Sequence, residues 1–382
     1  MDKKSIKIIN NDKVATLLFE LGVILELIVM MTDHFASWTL PYRGRVTHVA
    51  FILFCIKILM TRYEYRKLPI ILLFGALGIV SYFTCSDEYV IRAIVLVVAS
   101  KDVDCNKILR IILYGTMIGT AIIILLALLG VCGDIVDIRH YGRGVEEARY
   151  CLGFNHANNL HDVLWYMTCL YILIKRKNIG WIELTIMSAL NLGLYVLTIS
   201  RTGVIATQLV IACVFLTRYN ARIRDGQVMQ ILAVLSLVAS IVLTIYGSMY
   251  NIGEREFVKI VDKMLTGRLE MLTEHANIKQ WQMFPASRSA EFVDNGFSTI
   301  TYCYGTVVGV VFVIVILYEL LYLMRSRDSI VSIIMLGAIM VTFMEATFII
   351  NISLLCNMIL LVIIANGIEF HPDGSLPLSK RE

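Results

Sequence analysis

Apolar runs close to the length of a membrane crossing recur from one end of this chain to the other. A helix needs about 17–25 mostly apolar residues to cross a hydrocarbon core. Runs at 14–31, 46–60, 68–84, 89–100, 108–131, 154–174, 181–199, 202–217, 228–249, 296–324, 329–346 and 350–367 predict about twelve such spans. Composition agrees: 58% of the 382 residues are hydrophobic and 17% are charged, where a soluble domain carries about a quarter. The mean hydropathy is +0.75. The two-residue alternation of a membrane β-barrel is absent. The expected fold is an all-α polytopic membrane protein, a single integral membrane domain over residues 1–382. The first run follows Lys3, Lys4, Lys7 and Lys13 and lacks a small-residue cleavage site, so it reads as a retained span.

Lys and Arg set the orientation. The N-terminal tail, "TRYEYRK", "KDVDCNKILR", "KRKN", "RYNARIRD", "RSR" and "KRE" together hold 20 of the 34 basic residues. They alternate with poorer segments in a way that puts both termini in the cytoplasm and makes the number of spans even. The fourth run is short and carries Arg92, and the seventh and eighth form a broken pair around "TISRTG". Two long loops then fall on the external side, at 132–153 and, between the ninth and tenth spans, at 250–294. Loops of that length in a compact protein are usually functional. In the second, Val258, Val261, Leu265, Leu269 and Leu272 recur at helical spacing, which predicts amphipathic helices lying over the membrane face. The nine Cys are scattered. Cys132 and Cys151 flank the first loop and could pair there, but no wider cysteine framework supports a disulfide.

Basic residues on the external side run against the orientation rule and need a reason. Among them are Arg139, His140, Arg143 and Arg149 in the first loop, Arg201 beside Ser200, and Arg268, His275 and Arg288 in the long loop. The guanidinium fork binds phosphate bidentately and stays charged when partly desolvated, so several converging arginines would hold a phosphate-bearing ligand. Solvated loop charge is the plainer reading for any one of them. It suits Arg201 least, because that residue sits between two apolar runs.

The same side receives "GFNHANNLHD" at 153–162, a polar stretch where the sixth span begins. Asn155, Asn158, Asn159 and Asp162 are spaced i, i+3, i+4, i+7 and share one helix face. Asp162 lies about a turn and a half into the membrane, where an ionisable group faces the protein interior or a watery cavity. A helix cap with a packing Asp would use the same residues, but a cap needs only one. His156 titrates near neutral pH and can handle a proton. There is no HExxH, no CxxC pair and no Walker A loop, and "GRG" before Val145 lacks the strand–helix context of a dinucleotide fingerprint. No metal, cofactor or nucleic acid is expected.

Four stretches together resemble one family. "ARYCLGFNHANNL" resembles the "R…LGF.HPN.L" motif of bacterial polysaccharide polymerases of the Wzy type, which share a superfamily with the O-antigen ligases. "LTISRTGVI" resembles that superfamily's "SRT/SRG" turn, "LTGRLEML" the "(S/T)GR" motif of the large external loop, and "VDNGFSTITYCYGTVVGVVF" the "vDN.yl.ll..yG" segment. Their order and spacing agree from about residue 140 to 325. Ala157 departs from the family's Pro, which costs rigidity at the start of the helix but removes no chemistry.

The resemblance implies a metal-independent membrane glycosyltransferase in the bacterial cytoplasmic membrane. It would join undecaprenyl pyrophosphate-linked oligosaccharide repeats on the external face, for exopolysaccharide, capsule or O-antigen. Membrane lipid, a flippase and a chain-length regulator are the partners it suggests. Carried onto this chain, His156 becomes the base or acceptor-positioning group, and Arg201 and Arg268, with Arg149, the pyrophosphate clamp. Arg143, Asn155, Asn158, Asn159, Asp162, Ser200, Asp294 and Asn295 become substrate-binding residues. Two rivals remain: an O-antigen ligase, which differs only in its acceptor, and a transporter or flippase of lipid-linked sugars.

Overall fold

A computed structural model describes residues 5–6, 12–35, 40–140, 146–249, 256–264, 267–278, 280–285, 294–345 and 357–366. The helices are α1 (Asp12–Asp33), α2 (Arg43–Met60), α3 (Leu68–Cys85), α4 (Tyr89–Ala99), α5 (Cys105–Leu128), α6 (Ala157–Lys175), α7 (Trp181–Thr198), α8 (Arg201–Tyr219) and α9 (Ala221–Asp225). They continue with α10 (Val228–Met249), α11 (Glu256–Met264), α12 (Arg268–Ile278), α13 (Gly296–Tyr304), α14 (Thr306–Ser326), α15 (Ser329–Met344) and α16 (Met358–Asn366). Two short antiparallel pairs accompany them. β1 (Ser5–Ile6) pairs with β2 (Tyr63–Glu64), and β3 (Val136–His140) with β4 (Glu146–Tyr150) in the first long loop.

Among the described residues seven helices are long and apolar enough to cross a membrane: α1, α3, α5, α7, α8, α10 and α14. Large apolar side chains cover the outside, with Leu72 70% exposed and Phe83 and Val196 76%, while Glu26, Lys57, His161 and Asp162 are buried. In water that arrangement would be inverted, because soluble proteins bury such groups and do not expose apolar patches of this extent. The chain is an all-α polytopic membrane protein. α6 and α15 run through its centre and bury residues on nearly every face. α5, α7 and α8 pack on α6, and α8 and α10 on α15.

The other helices differ from simple crossings for stated reasons. α2 is long enough but carries Arg43, Arg45 and Lys57, and α6 opens on the polar stretch. α4 has 11 residues, about 16 Å of helix against a core about 30 Å thick. Its Arg92 is held inside the protein by Glu26 at 2.5 Å and Glu88 at 3.2 Å. The tenth apolar run, read above as one continuous segment, is two helices. Gly305 breaks it at φ +98°, and the freed amide of Thr306 donates to the Gln282 carbonyl at 2.8 Å. A backbone freed at membrane depth must find such a partner.

In the long loop Leu269 and Leu272 are fully buried, and Leu272 packs over Gly247 of α10. α12 is therefore docked on α10, not merely laid over the membrane face. Asp262 on α11 holds its start, accepting from the amides of Leu269 at 2.7 Å and Glu270 at 3.3 Å. Cys132 and Cys151 are free thiols, and the Cys151 thiol donates to the Asp134 carbonyl. Arg143, Leu265, Arg288 and the side chains of Arg139, His140 and Val261 lie outside the described residues, as does the last apolar run before residue 357.

Candidate functional site

The start of α6 is capped by histidine, not asparagine. His156 has extended backbone (φ −156°, ψ 144°), and its Nδ1 accepts from the Asn158 amide at 3.1 Å. A neutral imidazole has one acceptor nitrogen. With Nδ1 so used the proton sits on Nε2, and the ring turns a donor, not a base, away from the helix. Two of the stripe's amides tie α6 to the end of α1. The Asn155 side chain donates to the Asp33 carbonyl at 3.1 Å, its backbone amide donates to the His34 carbonyl at 3.0 Å, and Asn159 donates to Asn155 Oδ1. Those carbonyls end α1 and have no partner within their own helix.

One turn deeper the helix divides its polar residues between two faces. His161 is fully buried between α7 and α8, bonded to Thr198 Oγ1 at 2.9 Å and Asn191 Oδ1 at 2.8 Å. Asn191 continues to the Val204 carbonyl and Gln208. Gly203 leaves the room this needs, since a Cβ there would lie 2.6 Å from the His161 ring. The network fixes the α7–α8 turn. There Ile199 adopts the left-handed conformation at φ +52°, which costs a β-branched residue about 1–2 kcal/mol. The turn presents Ser200, buried, and Arg201, exposed at the first position of α8.

Asp162 faces the other way, toward a charged cluster that joins distant parts of the chain. Arg268, at the start of α12, donates from Nε to the Met344 carbonyl at 2.5 Å and from Nη2 to Glu345 Oε1 at 2.8 Å, with Thr202 Oγ1 at 3.5 Å. The Glu345 carboxyl is near enough to Asp162 and Asp294 for charge to act between them, and Asp294 is near enough to Arg268. Burial pushes the Asp294 carboxyl up, and the Arg268 guanidinium opposes it. Next in the chain, Asn295 caps α13 by accepting from the Ser298 amide at 2.8 Å, and its amide donates to Thr244 on α10 at 3.1 Å.

The arginines are in unlike states. Arg149 is 4% exposed and grips Glu147, two residues back on the same face of β4, at 2.7 and 3.1 Å. Arg268 is held by Glu345. Arg201 has no ion-pair partner among the described residues. His275, an external base by sequence, is buried with its ring edge-on to Tyr302.

The fold thus gathers Asp162, Arg268 and Asp294 around Glu345. It sets Arg201 and Ser200 one and two residues before Thr202 and Asn295 next to Asp294, and leaves His156, Asn155 and Asn159 where α6 meets α1. Sequence reasoning missed Glu345, Thr202 and His161. Glu345 carried the signal already used for Asp162, an ionisable group at the end of an apolar run. No family model matches the chain, and no curated protein or solved structure matches it either.

Proposed function

We propose that the chain is a polysaccharide polymerase with about twelve spans and both termini cytoplasmic. It joins undecaprenyl pyrophosphate-linked oligosaccharide repeats at the external face of a bacterial cytoplasmic membrane. The observation that carries this reading is the contact of Arg268 with Thr202 and Glu345 beside Asp162 and Asp294. It gathers the "TGR", "SRT" and "DN" stretches, far apart in sequence, with Asp162 of the sixth span. Their resemblance to polymerase motifs supplies the chemistry.

In that chemistry the bond from the anomeric carbon to the pyrophosphate breaks and negative charge grows on the leaving group. A fixed cation there stabilises the transition state more than the bound substrate. Arg201 suits this role, exposed and at a helix N-terminus whose dipole adds to its charge. Arg149 and Arg268 can join the clamp only by releasing Glu147 and Glu345. His156, at the start of α6, is the acceptor-positioning group of this reading, and Asn158 lies beside it on the first turn.

Arg201→Ala is expected to lower transfer by about 10²–10³-fold, the loss typical when one charge-stabilising donor is removed. Protein level should be unchanged, because the side chain is exposed. Cells carrying the variant should accumulate single lipid-linked repeats, read by thin-layer separation of extracted lipids. Normal polymer would remove Arg201 from the clamp, and accumulation of unattached polymer would point to a ligase.

A further inference from the structure

We infer that the acceptor sugar's hydroxyl binds at the carboxyl cluster between α6, α8 and α15, and that Asp162 Oδ2 takes its proton. The inference rests on the glycosyl-transfer reading and assigns the base, which that reading leaves open.

Two buried atoms point to a missing partner. Asp162 is 4% exposed and Ser200 2%, and neither Asp162 Oδ2 nor Ser200 Oγ has a hydrogen-bond partner among the described residues. Leaving such atoms unpaired is costly, so native structures rarely do it without a ligand or functional reason. The charge of the cluster limits what that ligand is. One guanidinium, Arg268, faces the carboxyls of Glu345 and Asp294, and Glu345 in turn lies near Asp162. A diphosphate would bring two more negative groups to a buried site that already holds three carboxyls and one guanidinium, whereas a hydroxyl brings none. A neutral hydroxyl donates its hydrogen to a carboxylate and accepts one from Ser200. Arg201, which has no ion-pair partner among the described residues, is the residue next to Ser200, so donor and acceptor subsites meet at the first turn of α8.

His156 is excluded from this role by its own bond. Its Nδ1 is occupied by the Asn158 amide, and it stands six residues from Asp162, about 9 Å along the helix.

The step balances with these groups alone. The hydroxyl proton passes to Asp162 Oδ2, and the hydroxyl oxygen bonds the anomeric carbon. The bond from that carbon to the pyrophosphate oxygen breaks, and its electron pair leaves with the undecaprenyl pyrophosphate, beside Arg201. Arg268 stays with Glu345 and keeps one positive charge beside the carboxyls.

The test uses the purified full chain in lipid vesicles with a synthetic polyprenyl pyrophosphate-linked repeat as donor and acceptor. Asp162→Asn should lower kcat by about 100-fold or more, the usual share of a general base. The KM for the lipid-linked repeat and the thermal midpoint should stay near wild type, and Asp162→Glu should recover part of the rate. Ser200→Ala should raise KM with a smaller loss of kcat. Should Asp162→Asn fail to accumulate, Asp162→Ser supplies the same comparison. A wild-type rate in either variant, or a loss confined to KM, overturns Asp162 as the base. A wild type that forms no product overturns the transfer reading and the base with it, so the two failures are told apart by the wild-type arm.

Discussion

Arg268→Ala is expected to destabilise the protein by about 3–5 kcal/mol, the cost of removing one partner from a buried ion pair. The Arg268 side chain is 11% exposed and that of Glu345 6%, with 2.8 Å between the charged atoms. Without the guanidinium, the carboxyls of Glu345, Asp294 and Asp162 are left with no cation opposite them among the described residues. The thermal midpoint of detergent-purified protein should fall, and membrane abundance with it. Arg268→Met combined with Glu345→Leu should recover much of the loss, since an apolar pair of similar size replaces a buried ion pair at little cost. A wild-type midpoint for Arg268→Ala would mean that the pair does not hold α12 to α15. The consequence for function is direct: inactivity of Arg268→Ala cannot be read as loss of a phosphate contact until the double variant is compared.

Gly305→Ala is the second large effect. The residue lies at φ +98°, and a Cβ there would stand 2.3 Å from the Met283 carbonyl oxygen and 3.0 Å from Pro285 Cδ. The neighbour is backbone held in place, because Gln282 O accepts from both the amide and the hydroxyl of Thr306. It cannot move aside as a flexible side chain would. The conformation costs about 1–3 kcal/mol for a residue with a Cβ, and the clash about 1–3 more. The segment 281–285 should undock from the break between α13 and α14. Limited proteolysis should cut it faster than in wild type, and transfer should fall because α13 also places Asn295 and Asp294. Unchanged cleavage would show that the docking does not depend on the glycine.

Much of the bundle was legible because a membrane makes apolar length itself the signal. Each apolar run drawn from the sequence coincides with helix, to within a few residues at its ends, over the described residues. The break at Gly305 was not, because "YCYGTVVGVV" stays apolar through it and only a distant backbone segment reveals it. Asp162, Ser200 and Arg268 were visible as polar groups out of place in an apolar chain, and Asp294 through the motif it resembles. Their partners were harder. Glu345 sits 77 residues from Arg268, a pairing that no local spacing announces. Glu147 beside Arg149 would have been readable had the strand been recognised, since side chains two apart in a strand share a face. His156 was read from its residue type and the motif it resembles, and only the geometry of its ring shows the nitrogen already taken.

The most direct test of the central claim is polymer formation by the purified chain alone. Wild-type protein and Arg201→Ala are placed in vesicles with a synthetic undecaprenyl pyrophosphate-linked repeat unit, without nucleotide sugar or added metal, and products are sized by mass spectrometry. The expected result is a ladder of lipid-linked products, each longer by one repeat, from wild type, and little beyond the single repeat from Arg201→Ala. No ladder from well-folded wild type, or equal ladders from both, would contradict it.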